Sequence, residues 1–221
     1  DLTSLWKETT LRMLNEPALW DATRPPRLFS FPNLLTAETA NLDADLAWVG
    51  LTRSRWTRFL NRYVEPERIM TWVNKAKEAD GLTSLLFRTK EKADHTGGEC
   101  VIGMSYRPQG SILTVYVRES EFPVRALLDI TFAHLAAKAI GNPETKVIFQ
   151  MGSLYLSMLH AIPFLVHFNM LDQMMQNENK AGKYLKYMTK HLVVHRETLR
   201  YGPAKRMLKR WDRMKDGGMP S

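Results

Sequence analysis

The stretch VYVRESEFPVRALLDITFAH, residues 115–134, decides how the chain is read. Val115, Tyr116 and Val117 close a run of β-favouring residues, Arg118-Glu119-Ser120-Glu121 follows with charge, and after Pro123 the apolar residues recur at helical spacing. Asp129 falls inside that helical pattern among Leu127, Leu128, Ile130 and Phe132. A carboxylate there either faces water or points into a site. The pattern alone favours water, because acidic side chains are seldom buried without a partner.

Upstream of this junction, CVIGMSYRP and SILTVYVRE read as two strands around a Pro-Gln-Gly turn, and LTSLLFRT after Asp80-Gly81 reads as another strand. EKADHTGGE between them is a polar loop. The first residues, LTSLWKETTLRML, space Leu2, Leu5, Trp6 and Leu11 along one helical face, limited by Pro17. ATRPPRLFSFPNLLT, punctuated by prolines, carries a short strand or extended arm. Helical spacing returns over 42–63 and 66–79, with Pro66 at a helix start. Downstream, the helix from Pro123 to Ile140 ends at Gly141-Asn142-Pro143. KVIFQMGSLYLSMLH reads as a strand leading into a helix, and 164–213 as mainly helical. Helices, then three or four strands interrupted by one long helix, then helices again, is not a regular strand–helix alternation. The expected class is therefore α+β, a mixed sheet packed with helices and followed by a helical C-terminal extension. Residues 1–163 are expected to form the core and 164–221 a basic helical extension packed on the same domain.

With 221 residues and 44% apolar content the chain is long enough to bury a core. No run of 18 apolar residues is present and the N-terminus lacks a signal-peptide core, so a cytoplasmic protein without a membrane partner is expected. Cys100 is the only cysteine, which excludes an intramolecular disulfide and a multi-thiolate zinc site. The net charge of +8 is uneven: residues 180–221 hold 12 Lys/Arg against 3 Asp/Glu, and residues 1–179 hold 19 against 20. KRMLKRWDRMK is a basic segment with an aromatic, so residues 180–215 are a candidate nucleic-acid contact as well as an ordinary solvated helix. His191 and His195 share a helical face, but no third ligand accompanies them and no metal is expected.

Several pieces in order carry a resemblance to a known family. FPNLLT (31–36) is similar to a Phe-Pro-Leu-(Leu/Val)-Thr-Thr segment, and DLAWV (45–49) to a Glu-Leu-Leu-Trp-Phe helix. Cys100, a strand, Arg118-Glu119-Ser120-Glu121 and then Asp129 follow the order of a nucleophile, a phosphate-binding Arg-Ser-x-Asp segment and a base-reading residue. Over about residues 28–156 the chain resembles a distant member of the thymidylate synthase and pyrimidine-nucleotide hydroxymethylase superfamily. The resemblance implies a homodimeric transferase that adds a one-carbon unit from 5,10-methylenetetrahydrofolate to carbon 5 of a pyrimidine nucleoside monophosphate. In it Cys100 would attack carbon 6, Arg118 would bind phosphate, and Asp45 would relay protons through water. Tyr155 would contact a sugar hydroxyl, and Arg88 would reach a phosphate, including one in a partner subunit.

Asp129 matches a position where asparagine reads uracil and a carboxylate reads cytosine, accepting from the N4 amine and repelling O4, so deoxycytidylate is favoured. Thiolate addition at carbon 6 is what makes carbon 5 nucleophilic, and a cysteine suits that reversible step. The chain departs from the family at Glu99 and Val101, which replace Pro and His beside the nucleophile. It departs again in the phosphate loop, where TRPPR offers only Arg24 and Arg27, and at Met151 and Ser153, which replace Asp and His. The alternative is a non-catalytic relative that binds nucleic acid or a protein through the basic C-terminal segment.

Overall fold

The structure, a computed structural model, describes residues 1–16, 19–22, 26–30, 33–42, 66–87, 100–142 and 144–194, without the side chains of 66, 159, 163, 166, 167 and 191–194. The expected helix over 42–63 and the segments DLAWV and KRMLKRWDRMK lie outside the described residues, as do Phe31, Pro32, Arg24 and His195. The described elements are α1 (Leu2–Asn15), β1 (Leu19–Asp21), β2 (Arg27–Ser30), β3 (Asn33–Ala37), α2 (Pro66–Glu78), β4 (Thr83–Leu86), β5 (Val101–Arg107), β6 (Ile112–Phe122), α3 (Ala126–Ile140), β7 (Lys146–Ser157), α4 (Met158–His167), α5 (Leu171–Gln176) and α6 (Lys180–Val194). The chain is α+β, a mixed sheet packed with helices, and its described C-terminal part after β7 is helical. It divides into two units, residues 1–8 with 31–154 and residues 9–30 with 155 onward.

In the first unit β4, β5 and β6 form an antiparallel meander, with Leu85 opposite Met104 and Met104 opposite Val115. β3 runs antiparallel to β7, Leu35 opposite Phe149. β6 and β7 are neighbours. Lys146 N donates to Ser111 O at 2.8 Å where both strands begin, and Ser153 Oγ donates to Glu119 Oε1 at 3.1 Å near their ends. The two strands therefore run parallel, and α3 is the crossover that a parallel pair requires. One face of this sheet is core: Leu113, Val115, Val117, Met104, Val147, Phe149 and Met151 are all buried. Each fully buried Val, Leu or Phe of such a core contributes about 1.5–3 kcal/mol. α3 is buried over most of its circumference from Ala126 to Ala133, the pattern of a helix enclosed by its neighbours. Thr131 is tolerated there because its hydroxyl donates to Leu127 O at 2.7 Å. Gly141, at φ +100, ends the helix with its N–H on Ala137 O, as the Gly-Asn-Pro signal predicts.

The charged stretch does not end β6 at Glu119. The strand continues to Phe122 and the helix begins only at Ala126. The polar side chains are accommodated singly, Glu119 by Ser153, Ser120 by Asp129, and Glu121 by Arg125 at 3.4 Å. Trp6 is buried on the same junction, its Nε1 donating to Pro123 O at 2.8 Å.

In the second unit β1 and β2 form an antiparallel pair, Trp20 opposite Leu28, and β2 neighbours β7, whose closing residues 155–157 belong here. The short strand or extended arm expected over ATRPPRLFSFPNLLT is met by two short strands, β2 and β3. Asn179 joins α1 to α6: its Nδ2 donates to Leu14 O at 3.0 Å and its Oδ1 accepts from Gly182 N at 2.8 Å. One side chain satisfies a C-terminal carbonyl of one helix and an N-terminal amide of another.

Candidate functional site

Among the sequence-predicted residues, the first unit gathers Cys100, Arg118 and Asp129 around the latter half of β6. Val101 pairs with Val117, and Arg118 N donates to Cys100 O at 2.7 Å, which extends the ladder by one pair beyond them. Cys100 and Arg118 are therefore cross-strand neighbours, whose Cβ atoms lie on one face of the hairpin about 5 Å apart. A register shift between Val101 and Gly103 sits directly beside them, and such bulges re-aim side chains at strand ends. Cys100 is half-buried and Arg118 exposed.

Two residues beyond Arg118, Ser120 donates its hydroxyl to Asp129 Oδ2 at 2.6 Å. Asp129 is 1% exposed and Ser120 fully buried, so Asp129 is not the water-facing helix residue that the pattern alone favours. The sequence places Asp129 correctly on the helix but carries no sign of Ser120 as its partner, because the two are nine residues apart and meet only when α3 folds onto β6. Burial pushes the Asp129 carboxyl up to about 7, against smaller downward effects from the Ser120 hydrogen bond and the Arg125 charge. An acid with a pKa near neutrality and a bound hydroxyl can act as acceptor or as donor according to pH.

Tyr155 belongs to the second unit. Its ring lies 5.3 Å from the Arg27 guanidinium and 5.8 Å from the ring of Phe29. The cation–π contact and the pairing with β2 give Arg27 a defined position that sequence reading left as one candidate among several. Asp45 and Arg88 lie outside the described residues. Among the described residues no three His, Cys, Asp or Glu gather as a metal site, and no helix is long and apolar enough to cross a membrane.

No family model and no curated protein matches the sequence. Among solved structures the chain is similar to a thermostable thymidylate synthase A from Bacillus subtilis, with a TM-score of 0.46 and 13% identity over 80% of this chain and 85% of that one.

Proposed function

We propose that this protein is a pyrimidine-nucleotide C5 one-carbon transferase that prefers deoxycytidylate. The observation that carries the reading is the pairing of Cys100 with Arg118 across β5 and β6, two residues from the Ser120–Asp129 hydrogen bond. Cys100 and Arg118 are neighbours across the hairpin and Asp129 holds Ser120 further along β6, which supports reading the three together, although 29 positions separate Cys100 from Asp129.

The Cys100 thiolate adds to carbon 6 of the pyrimidine and the electrons of the 5,6 double bond pass to carbon 5, which bonds to the incoming carbon. Loss of the carbon 5 proton and expulsion of Cys100 restore the ring. Arg118, exposed in the latter half of β6, offers its planar fork to the phosphate. Asp129 reads the exocyclic group at carbon 4 through the oxygen not engaged by Ser120. Ionised, it accepts from an N4 amine and repels O4. Asp45 serves a proton relay through water, and Arg88 a second phosphate contact. The one-carbon unit would come from 5,10-methylenetetrahydrofolate at the formaldehyde oxidation level, its bond to the donor nitrogen being replaced by water to leave a hydroxymethyl group or by hydride to leave a methyl group. None of the described residues is assigned to its binding.

A homodimer accompanies this reading. The sheet face opposite the core carries Leu34 (66% exposed) and Leu86 (70%) and the partly exposed Ile112, Tyr116 and Ile148 among the exposed polar Thr36, Ser84 and Gln150, with Arg118 further along the same side of β6. Two leucines so exposed on the outer side of a sheet suit cover by a second copy seated beside the nucleotide site.

The test is release of tritium from carbon 5 of deoxycytidylate and deoxyuridylate, since addition at carbon 6 labilises that hydrogen. The wild-type protein should release it and Cys100→Ser should not, with nucleotide affinity kept within several-fold. Full release by the variant would remove Cys100 from the mechanism.

A further inference from the structure

Helix α6 has a second, unassigned surface. Its sequence, KAGKYLKYMTKHLVV, contains four lysines and no acidic residue, and Glu178, two residues before it, is the nearest carboxylate in the sequence. Lys180, Lys183, Lys186, Tyr187 and Lys190 are exposed, whereas Ala181, Gly182 and Leu185 are buried. At 100° per residue the five exposed residues fall within an arc of about 120°, and they extend roughly 15 Å along the axis. They form a single stripe, with an aromatic among cations.

Tyr187 is 57% exposed, yet its ring is held from behind. The ring of Tyr184 lies 6.5 Å from that of Tyr187 and 5.9 Å from that of Trp20, in an edge-on contact. Three aromatics thus run from the strand pair β1–β2 to the surface, and the outermost is positioned before any ligand arrives. The stripe exposes no Leu, Phe or Trp among the lysines, which disfavours insertion into a lipid surface. A duplex keeps its base faces stacked and offers Tyr187 nothing. The partner that uses both features is single-stranded nucleic acid, whose phosphates meet the lysines and whose unstacked bases have an open face.

We propose that the exposed stripe of α6, Lys180, Lys183, Lys186, Tyr187 and Lys190, binds single-stranded nucleic acid, with Tyr187 as a base-stacking platform. The surface is independent of the nucleotide chemistry assigned to the first unit, and either can fail alone.

The full-length protein is titrated with fluorescently labelled oligothymidylate over a salt series, reading anisotropy. Wild type should bind with a linear fall of log K against log salt. The triple substitution Lys183→Gln, Lys186→Gln, Lys190→Gln should reduce that slope by about 2, from roughly 0.7 per phosphate neutralised on a single strand. Tyr187→Ala should weaken binding by roughly 5- to 150-fold with the slope unchanged. Circular dichroism monitors the fold, and the three single Lys→Gln variants, each expected to lower the slope by about 0.7, replace the triple if it unfolds. Absence of oligothymidylate binding at low salt overturns the proposal. So does an unchanged slope in the lysine variants, which would move the contact to the basic residues after 194. Equal affinity for wild type and Tyr187→Ala, tighter binding of duplex, or preferential retention on anionic vesicles overturns it too.

Discussion

Asp129 concentrates the consequences of burial in one side chain. Its carboxyl rises from the ordinary 3.8 to about 7, so between those values the folded protein holds a proton that the unfolded chain has lost. Stability contributed by that proton is complete below pH 4 and declines as pH rises towards 7, at roughly 1.4 kcal/mol per pH unit. Asp129→Asn carries no such proton and keeps an oxygen for the Ser120 hydroxyl. The difference in unfolding free energy between wild type and variant, measured by urea denaturation from pH 4 to 8, should follow that slope and then level off. A difference that stays flat with pH would mean the carboxyl is not raised. The same titration bears on substrate choice, because only the ionised form repels uracil O4. The ratio of kcat/KM for deoxycytidylate over deoxyuridylate should therefore rise with pH through about 7 in wild type. It should fall by roughly 5- to 150-fold in Asp129→Asn, the effect of reversing one buried hydrogen bond. An unchanged ratio in a folded, active variant would remove Asp129 from base reading.

Elements are joined here at points where a backbone comes unusually close. A Cβ at Gly152 on β7 would stand 2.8 Å from Arg118 O on β6, while one at Gly81 would meet nothing within 4 Å. Gly152→Ala must push the parallel pair apart beside the Cys100–Arg118 position, at a cost of about 1–3 kcal/mol. Gly81→Ala should be neutral or slightly stabilising. Thermal unfolding of the two variants tests the contrast, and equal melting temperatures would contradict the close approach. Asn179→Ala removes three helix-end hydrogen bonds at once, to Leu14 O, Asn15 O and Gly182 N, and should cost about 1–2 kcal/mol, more than an ordinary exposed polar substitution. The elements themselves were largely readable beforehand: α1, the β5–β6 hairpin, α3 with its glycine stop, and β7 all follow from periodicity and turn residues. The continuation of the strand beyond Glu119 through Ser120 and Glu121 to Phe122 was not, because polar residues at a strand end give no sign of the partners that bury them.

At the scale of the molecule, the leucines exposed on the outer side of the sheet make a dimer testable. Leu34→Lys combined with Leu86→Lys should shift wild-type dimer to monomer in sedimentation equilibrium without loss of secondary structure, and a wild type that is monomeric throughout would withdraw the second copy from the proposal. By itself the sequence determined the α+β class, the order of most elements, the basic C-terminal end and the chemical candidates Cys100, Arg118 and Asp129. The class and the elements depend on local periodicity and turn chemistry, and the three candidates on the order of motifs that resembles a known family, all of which a linear chain displays. Only the tertiary structure decided that β6 and β7 run parallel, that Cys100 faces Arg118, that Ser120 is bonded to Asp129, and that Tyr187 is backed by Tyr184 and Trp20. Each of these is a pairing between residues distant in sequence, set by strand register and helix packing, and neither the burial that shifts Asp129 nor the stack that holds Tyr187 exists until the chain has folded.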